Sequence, residues 1–168
     1  GRTLGLVGCG AIGRYMAQFA SCIGMQVVAY DVAPDPAFAP GPNFRYAKLD
    51  EVLGVSDVVS LHCPSTGQPL LDANAFEKMK PGVYIINTAR HDLIDSRALM
   101  DALDSGHVAG AALDVFATEP PTGDPLVIHS RVIATPHLGG FTEESIERAV
   151  EMAVKGMLAQ LTQEKGAK

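Results

Sequence analysis

Four side chains suited to proton transfer and anion binding follow short apolar runs in the second half of the sequence. They are Arg90, Asp114, Glu119 and His137. An arginine can grip a carboxylate through two parallel hydrogen bonds, and a histidine can pass a proton at neutral pH. A nearby glutamate can hold the imidazole and favour its charged form. This set is therefore suited to the reduction of a keto acid.

The segment GCGAIG, which begins at Gly8, lies between an apolar run and a helical pattern. Gly8 permits a tight turn, Gly10 lets the backbone approach a pyrophosphate, and Gly13 lets helix and strand pack closely. The helix N-terminus offers unpaired N–H groups and a positive dipole end to phosphates. The spacing alone also fits an ordinary glycine turn, but the strand before it and the helix after it favour a dinucleotide site.

Asp31 ends the second apolar run, 18 residues after Gly13. At this place an acidic side chain can accept hydrogen bonds from the adenosine ribose hydroxyls. The same carboxylate would repel a 2′-phosphate, and no Lys or Arg follows it until Arg45. The sequence therefore predicts NAD in preference to NADP. The alternative is a surface aspartate that caps a turn before Pro34.

Short apolar runs alternate with helical patterns along the whole chain, as in a parallel sheet covered on both faces. Most runs lack strict alternation, as expected for strands buried on both sides. These features predict one α/β domain over residues 1–168, a Rossmann-type, doubly wound, mainly parallel sheet with helices on both faces. The predicted strands are Leu4–Val7, Gln26–Tyr30, Asp57–Leu61, Val83–Asn87, Val108–Leu113 and Arg131–Ala134, with a weaker one at Phe44–Ala47.

Three helices can be placed between or after these strands. The first spans Ala11–Ile23, directly after the glycine turn. The second spans Ser96–Ser105, with Asp95 as its N-cap. The last begins at Thr142 and carries a long apolar stripe. The segment 32–43 contains four prolines and is predicted to be a surface loop.

The segments GRTLGLVGCGAIGR, LHCPST, NTARHDLID, ALDVFATEPP and ATPHLGGFT resemble the signature segments of the D-isomer-specific 2-hydroxyacid dehydrogenases. That family includes phosphoglycerate, glycerate, D-lactate and formate dehydrogenases. The resemblance covers essentially the whole chain. It implies that Arg90 binds substrate, that His137 is the acid/base, that Glu119 is its carboxylate partner and that Asp114 faces the nicotinamide end.

By the same resemblance, the cofactor cleft draws its lining from every segment that follows a strand. The residues implied to bind NAD are Gly8, Gly10, Ala11, Ile12, Gly13, Asp31, His62, Cys63, Pro64, Thr66, Thr88, Ala89, Arg90, Asp114, His137 and Gly140.

The resemblance implies hydride transfer between NAD(H) and the carbonyl carbon of a 2-keto acid, with a D-2-hydroxy acid as the reduced form. His137 would protonate the developing alkoxide, or act as base in the reverse direction, while Arg90 orients the carboxylate. The hydride chemistry belongs to the cofactor, so the protein contributes positioning and electrostatics.

Each of these residues also has a purely structural interpretation. Arg90 can pair with Asp92 or Asp95, Glu119 can simply begin the proline loop, and His137 can be a loop histidine bonded to backbone. A rival function is an NADH-sensing scaffold that resembles the C-terminal-binding-protein corepressors, which share the fold and these motifs. A second rival is another NAD-dependent Rossmann enzyme that does not use this triad.

Two segments depart from the family pattern. His91 stands where the family usually has glycine after its arginine, so a side chain there can narrow the substrate pocket or add a polar contact. The stretch Ser65–Leu71 also differs from the usual Leu-Thr-Pro pattern, which bears on the role of Thr66.

Composition excludes several classes of function. A formal net charge of −6 argues against a nucleic-acid or anionic-membrane surface. Three widely spaced cysteines, with no Cys-x-x-Cys pair, argue against a zinc site or a disulfide framework. No signal peptide or membrane span is recognisable, so a cytoplasmic protein is expected.

The family resemblance also sets expectations about assembly. Relatives commonly dimerise through this domain, so a homodimer is expected. In the family the cofactor domain is inserted in a substrate domain, and the chain is therefore interpreted as an excised domain that binds NAD but turns over substrate poorly.

Overall fold

The computed structural model describes residues 1–165, with side chains through residue 161, so the last three positions of the predicted domain lie outside the described residues. Residues 1–136 form one compact unit and the chain from His137 onward forms a second. The first unit holds a seven-stranded parallel sheet in the order β3-β2-β1-β4-β5-β6-β7. Its strands are β1 (Thr3–Val7), β2 (Gln26–Tyr30), β3 (Phe44–Tyr46), β4 (Val58–Leu61), β5 (Val83–Asn87), β6 (Val108–Leu113) and β7 (Val132–Ala134).

The predicted Rossmann-type α/β fold is confirmed, because the strand order reverses beside β1 as in other doubly wound sheets. Three strands have the predicted bounds, and the other four differ by one residue at an end. The apolar runs were a reliable guide because a parallel strand buried on both sides needs apolar residues at nearly every position.

The helices that the sequence indicated are present with small differences at their ends, and three further short helices join them. Asp95 caps its helix as predicted, because its side chain accepts hydrogen bonds from the backbone of Arg97 and Ala98 at 2.9 and 3.0 Å. The helices are α1 (Ala11–Cys22), α2 (Leu49–Val55), α3 (Ala73–Glu77), α4 (Ser96–Asp104), α5 (Pro125–Ile128) and α6 (Glu143–Lys165).

The three additional helices were not anticipated, because each is too short for helical periodicity to be recognised. α3 has five residues and α5 has four. The start signals of α3 and α5 are nevertheless present in the sequence. Asp72 accepts from the backbone N–H of Ala75 at 2.8 Å, and Asp124 accepts from that of Leu126 at 2.9 Å. These N-caps fix where each short helix begins.

The sheet is packed differently on its two faces. On one face, small residues of α1 (Ala17 and Ala20) pack against Leu4, Leu6 and Val27. On the opposite face, side chains of α2, α3 and α4 form the larger core with β4, β5 and β6. Within residues 1–136, helices therefore lie on both faces of the sheet. Among these residues, α1 is the helix that packs on the face of β1 to which Leu4 and Leu6 point.

The second unit is dominated by α6. Thr142 caps this helix, since its hydroxyl accepts a hydrogen bond from the backbone N–H of Ser145 at 3.1 Å. The predicted start at Thr142 is thus the cap, one residue before the first helical residue. Glu143 and Glu144 lie in the first turn, where acidic groups favour the helix dipole. Among residues 1–165, no helix has both the length and the apolar character needed to cross a membrane.

Candidate cofactor and active site

The glycine turn after β1 is built as the sequence indicates. Gly8 has φ of +95°, and a Cβ there would lie 2.7 Å from the backbone nitrogen of Cys63. A Cβ on Gly13 would lie 2.2 Å from the carbonyl oxygen of Gly8, so the helix approaches the turn too closely for a side chain. A Cβ on Gly10 would meet nothing within 4 Å. The turn therefore leaves open space at Gly10, at the N-terminus of α1.

Asp31 bridges the end of β2 and the glycine turn. One carboxylate oxygen accepts a hydrogen bond from the backbone N–H of Cys9 at 2.6 Å, and the other accepts from that of Ala33 at 2.9 Å. The hydrogen bond from Ala33 is the interaction expected of an aspartate that caps a turn before Pro34. The hydrogen bond from Cys9 brings the carboxylate to the glycine turn. A carboxylate that accepts these two bonds still has lone pairs that can accept from ribose hydroxyls.

A cleft of about 180 Å³ lies at the carboxyl ends of β1, β2 and β4. Seven of the residues implied to bind the cofactor line it: Gly8, Gly10, Asp31, His62, Cys63, Pro64 and Thr66. The cleft lies at the place where the strand order reverses, which is where doubly wound sheets bind their ligands. The structure therefore brings three separate segments of the sequence to one site.

Burial favours the neutral form of two titratable side chains in this cleft, His62 and Cys63. Burial lowers the pKa of His62, and Nε2 of its ring lies 2.9 Å from the Ser60 hydroxyl. Burial is also the main cause of the raised pKa of the Cys63 thiol. An uncharged imidazole and an uncharged thiol leave Asp31 as the charged side chain among the lining residues.

Not every implied cofactor residue lines this cleft. Ala11 and Ile12 begin α1 and are exposed beside the open space at Gly10. Thr66 lines the cleft and donates its hydroxyl hydrogen to the carbonyl oxygen of Gln68 at 2.6 Å. Ser65 donates to the Asp92 carboxylate, which ties the loop after β4 to the segment that follows Arg90.

The segment after β5 is shaped by Asn87, a residue that the sequence analysis did not single out. Its amide Nδ2 donates to the carbonyl oxygen of Arg90 at 2.8 Å, and its Oδ1 accepts from the backbone N–H of Ala89 at 3.0 Å. Asn87 is 1% exposed. Thr88 and Arg90 are exposed on the loop that Asn87 folds, at the carboxyl edge of the sheet. The signal for this role was an asparagine at the last position of an apolar strand.

The Arg90 side chain does not make either of the ion pairs that its structural interpretation supposed. Its Nη1 donates to the carbonyl oxygen of Ala89 at 2.6 Å. Asp92 accepts from Ser65, and Asp95 caps α4. A guanidinium that is exposed at the carboxyl edge of the sheet has donors available for an anionic group.

Asp114 and Glu119 lie after β6. Asp114 is 5% exposed, and its Oδ1 accepts from the Thr135 hydroxyl at 2.5 Å. The backbone N–H of Asp114 donates to the carbonyl oxygen of Asn87 at 2.9 Å, so the ends of β5 and β6 are joined here. Glu119 is exposed, precedes a cis proline, and accepts through Oε1 from the backbone N–H of Phe116 at 3.2 Å.

His137 and Gly140 belong to the second unit. His137 has φ of +56°, the left-handed region that few residues other than glycine adopt. Histidine tolerates this region better than bulky residues, and such outliers are often functional. Gly140 is exposed in the turn before α6, where the backbone N–H of Phe141 donates to the carbonyl oxygen of Leu138 at 3.0 Å.

The residues of the first unit fit NAD. Open backbone at a helix N-terminus suits a pyrophosphate, and the half-buried carboxylate at the end of β2 suits ribose hydroxyls. The cleft beside them is lined mainly by apolar atoms, which suits an adenine ring. Among residues 1–161, no three His, Cys, Asp or Glu side chains cluster in a way that would hold a metal ion.

Comparison with known proteins agrees with this geometry. Residues 1–139 match the sequence model of the family described as "D-isomer specific 2-hydroxyacid dehydrogenase, NAD binding domain". The chain is 46% identical over 151 residues to a D-3-phosphoglycerate dehydrogenase of Mycobacterium bovis, a match that covers 89% of this chain and 29% of that protein. It is 42% identical over 160 residues to a hydroxypyruvate reductase of Blautia hydrogenotrophica, covering 94% of this chain and 49% of that protein.

A solved structure extends the similarity to three dimensions. The D-lactate dehydrogenase of Aquifex aeolicus, complexed with NAD and lactic acid, superposes with a TM-score of 0.84 at 35% identity. The match covers 96% of this chain and 54% of that one. The chain thus spans between about a third and about a half of the length of these relatives. It belongs to the NAD-binding domain family of the D-isomer-specific 2-hydroxyacid dehydrogenases, and NAD is the cofactor of that domain family.

Proposed function

We propose that the chain is the cofactor-binding part of an enzyme that transfers a hydride between NAD(H) and a D-2-hydroxy acid or 2-keto acid. The observation that carries the proposal is the cleft in which the glycine turn, Asp31 and the segment after β4 converge. The bound nicotinamide supplies or accepts the hydride. The named relatives, which reduce or oxidise small 2-hydroxy and 2-keto acids, support this choice of substrate class.

We assign three residues to the substrate chemistry. Arg90 binds the carboxylate of the acid, because its guanidinium is exposed at the sheet edge and can donate two parallel hydrogen bonds. His137 gives a proton to the developing alkoxide during reduction and takes it back during oxidation. Glu119 is assigned to hold the imidazole and favour its charged form. The exposed position of Glu119 and the unusual backbone of His137 support these assignments.

Within the cofactor cleft we assign the choice of NAD over NADP to Asp31. Its carboxylate already accepts from two backbone N–H groups, so a 2′-phosphate would meet a fixed negative charge. Among the residues that line the cleft there is no Lys or Arg to offset that repulsion.

The test begins with cofactor binding and then measures turnover. NADH and NADPH are titrated into the purified chain, and the cofactor's own fluorescence is followed, since the sequence has no Trp. Saturable NADH binding that is clearly tighter than NADPH binding is expected. A folded chain that binds neither nucleotide would overturn the proposal.

Turnover is measured with NAD and D-3-phosphoglycerate or D-lactate, and with NADH and hydroxypyruvate. We expect slow turnover by this chain, because closure of a cleft against a second domain completes many such sites. Residual activity should fall at least about 100-fold in His137→Ala, the scale of a lost general acid. Unchanged activity in that variant would assign the chemistry elsewhere.

A homodimer also belongs to this proposal. Dimerisation through this domain is common among family members.

A further inference from the structure

The backbone of Cys9, in the glycine turn, is held by two side chains of opposite charge. Its N–H donates to the Asp31 carboxylate at 2.6 Å, and its carbonyl oxygen accepts from Nε of Arg14 at 3.2 Å. Asp31 follows β2, whereas Arg14 lies in the first turn of α1. Each charged group matches the partial charge of the backbone group that it contacts, which strengthens both hydrogen bonds. The turn is therefore fixed from two sides at Cys9.

The bond from Arg14 determines where the next backbone N–H points. The peptide bond between Cys9 and Gly10 is planar and trans, so its C=O and N–H point in opposite directions. Because the carbonyl of Cys9 is directed at Arg14, the N–H of Gly10 is directed away from that side chain. Within residues 1–161, this N–H donates no hydrogen bond. It is a donor left available at the N-terminus of α1.

The rest of the Arg14 guanidinium is held by the loop between β2 and β3. Its Nη2 lies 3.0 Å from the Asp35 carboxylate, and its Cζ lies 5.0 Å from the centre of the Phe38 ring. Phe38 packs edge to face against Phe44, with ring centres 5.3 Å apart. A carboxylate and a ring therefore hold the planar guanidinium in one orientation. Arg14 is not among the residues that line the cofactor cleft.

We propose that Arg14 is a positioning residue for the pyrophosphate of NAD, because its bond to the Cys9 carbonyl directs the Gly10 N–H toward the phosphates. The inference deepens the proposed cofactor-binding function and rests on it. Backbone N–H groups bind an anion well only when they converge on it. Without the bond from Arg14, the peptide group between Cys9 and Gly10 can rotate, and its carbonyl oxygen then repels the phosphates. Arg14 thus fixes before binding an orientation that would otherwise have to be selected during binding.

Two other roles for Arg14 lead to different expectations. In the first, its positive charge contacts the pyrophosphate directly, so that charge is needed and the bond from Nε is not. In the second, Arg14 only anchors the loop after β2 through Asp35, so that loss of this ion pair should be as harmful as loss of the arginine. The proposed role requires the donor to the Cys9 carbonyl and neither of the other two contacts.

Substitutions at position 14 can separate the donor from the charge. The side-chain amide nitrogen of glutamine is bonded to Cδ, as Nε of arginine is, so Arg14→Gln keeps a donor there without the charge. Arg14→Met keeps an unbranched chain without a donor, and Arg14→Lys keeps the charge one atom further out. Asp35→Asn is the matched control, because it neutralises the ion-pair partner and leaves the bond from Nε in place. Circular dichroism checks that each variant is folded.

The first measurement is NADH binding, followed by cofactor fluorescence. Arg14→Met should weaken NADH binding at least about tenfold, because one charge-assisted hydrogen bond that fixes the turn is lost. Binding by Arg14→Gln and Asp35→Asn should stay within about threefold of that of the unmodified chain. Arg14→Lys should bind no better than Arg14→Gln.

Three results of this titration would overturn the proposal. Unchanged binding by Arg14→Met would remove any role for the side chain. Normal binding by Arg14→Lys together with weak binding by Arg14→Gln would show a direct contact between charge and phosphate. A loss in Asp35→Asn equal to that in Arg14→Met would assign the effect to the loop after β2.

The second measurement compares ADP, which carries a pyrophosphate, with adenosine, which carries no phosphate. Both are titrated into the ¹⁵N-labelled chain, and the backbone amide shifts are followed by NMR. Arg14→Met should weaken ADP binding at least about tenfold and change adenosine binding less than about twofold. Equal losses for the two ligands would mean that the whole cleft is disturbed, which would overturn the positioning role.

The unmodified chain separates failure of this inference from failure of the proposed function. If it binds neither NADH nor ADP, the cofactor-binding function fails, and the role of Arg14 fails with it. If it binds both and Arg14→Met binds both equally well, only the role of Arg14 fails.

Discussion

The carboxylate of Asp31 accepts a hydrogen bond from the backbone N–H of Cys9 at 2.6 Å, which joins the end of β2 to the glycine turn after β1. The two residues are 22 positions apart in sequence, and the bond sets Asp31 beside Gly8 and Gly10 in the lining of the cleft. The bond fixes the carboxylate in the lining of the cleft, where it has further lone pairs for a ribose hydroxyl. It also means that Asp31 has a structural contribution that is separable from its charge.

Asp31→Asn removes the charge and one of the two backbone acceptors, because the amide oxygen can accept from Cys9 or from Ala33 but the amide NH2 group accepts from neither. We expect NADH binding to weaken about tenfold, or about 1.4 kcal/mol, since a charge-assisted hydrogen bond becomes a neutral one. NADPH binding should weaken less or improve, because the repulsion of the 2′-phosphate is removed. Both are measured by cofactor fluorescence.

The control is Asp35→Asn, which neutralises the half-buried partner of Arg14 outside the cleft. It should leave the ratio of NADH to NADPH affinity unchanged. If both variants change that ratio equally, net charge rather than Asp31 sets the preference.

Two alanine substitutions in the glycine turn should have opposite effects. Gly10→Ala adds a methyl group that meets nothing within 4 Å at a φ of −74°, so the thermal midpoint should be unchanged or slightly higher. NADH binding should nevertheless be lost or much weakened, because the methyl group occupies the space of the pyrophosphate. Unchanged NADH binding would exclude this turn as the phosphate site.

Gly13→Ala should instead lower the stability of the fold. Its methyl group would lie 2.2 Å from the carbonyl oxygen of Gly8, which forces α1 away from β1. Overpacking of this kind costs about 1–3 kcal/mol. Thermal unfolding without cofactor measures the effect, and a midpoint equal to that of the unmodified chain would show that the helix shifts freely.

Asn87→Ala should destabilise the chain by about 1–3 kcal/mol, because it removes both hydrogen bonds that the 1% exposed Asn87 side chain makes to the Arg90 loop. Urea unfolding measures the change. Thr88→Ala, at the exposed neighbouring position, is the control and should cost less than about 0.5 kcal/mol. Equal costs for the two variants would contradict the role assigned to Asn87.

Stability should fall when the pH drops below the ordinary pKa of histidine, near 6.5, because of His62. Burial lowers the pKa of His62 in the folded chain, so below pH 6.5 the unfolded chain binds a proton that the folded chain resists. This loss begins below the unfolded pKa and is complete below the lowered folded pKa. Above pH 6.5 the imidazole is neutral in both states and has no effect.

The measurement is urea unfolding at several pH values between about 7.5 and 5, a window set by the ordinary histidine pKa. A His62→Gln variant should show a smaller slope of stability against pH in this window. Asp57, whose pKa is lowered mainly by the backbone N–H of Thr3, affects stability only at more acidic pH. An unchanged slope in His62→Gln would assign the effect to another histidine.

The strands, the Asp95 cap and the glycine turn could be predicted from the sequence because these features depend on residues close together in the chain. β2, β5 and β6 have their predicted bounds, since apolar runs, β-branched residues and flanking turns are local signals. Asp95 was identifiable as a cap from its place before a helical pattern. The segment 32–43 has no helix or strand, as its prolines indicated.

Other features depend on groups that only the folded chain brings together. The bond from Cys9 to Asp31, the two bonds of Asn87 and the contact of Ser65 with Asp92 each join separate segments or fold a loop whose path the sequence does not reveal. The exposure of apolar side chains such as Phe19, Tyr84 and Ile133 is of the same kind. An apolar residue indicates that burial is favourable, but which surface meets it is set by the packing of whole elements.

The types of chemistry available to this protein could therefore be predicted from residue identity and local spacing: a glycine turn suited to a phosphate, an acid suited to a ribose, an arginine and a histidine. Tertiary structure decided which of these groups share a cleft and which apolar faces remain open. The physical reason is the distance along the chain over which each kind of interaction acts. Backbone preferences and capping bonds act over a few residues, whereas a cleft and an interface arise where strands and helices distant in sequence are packed side by side.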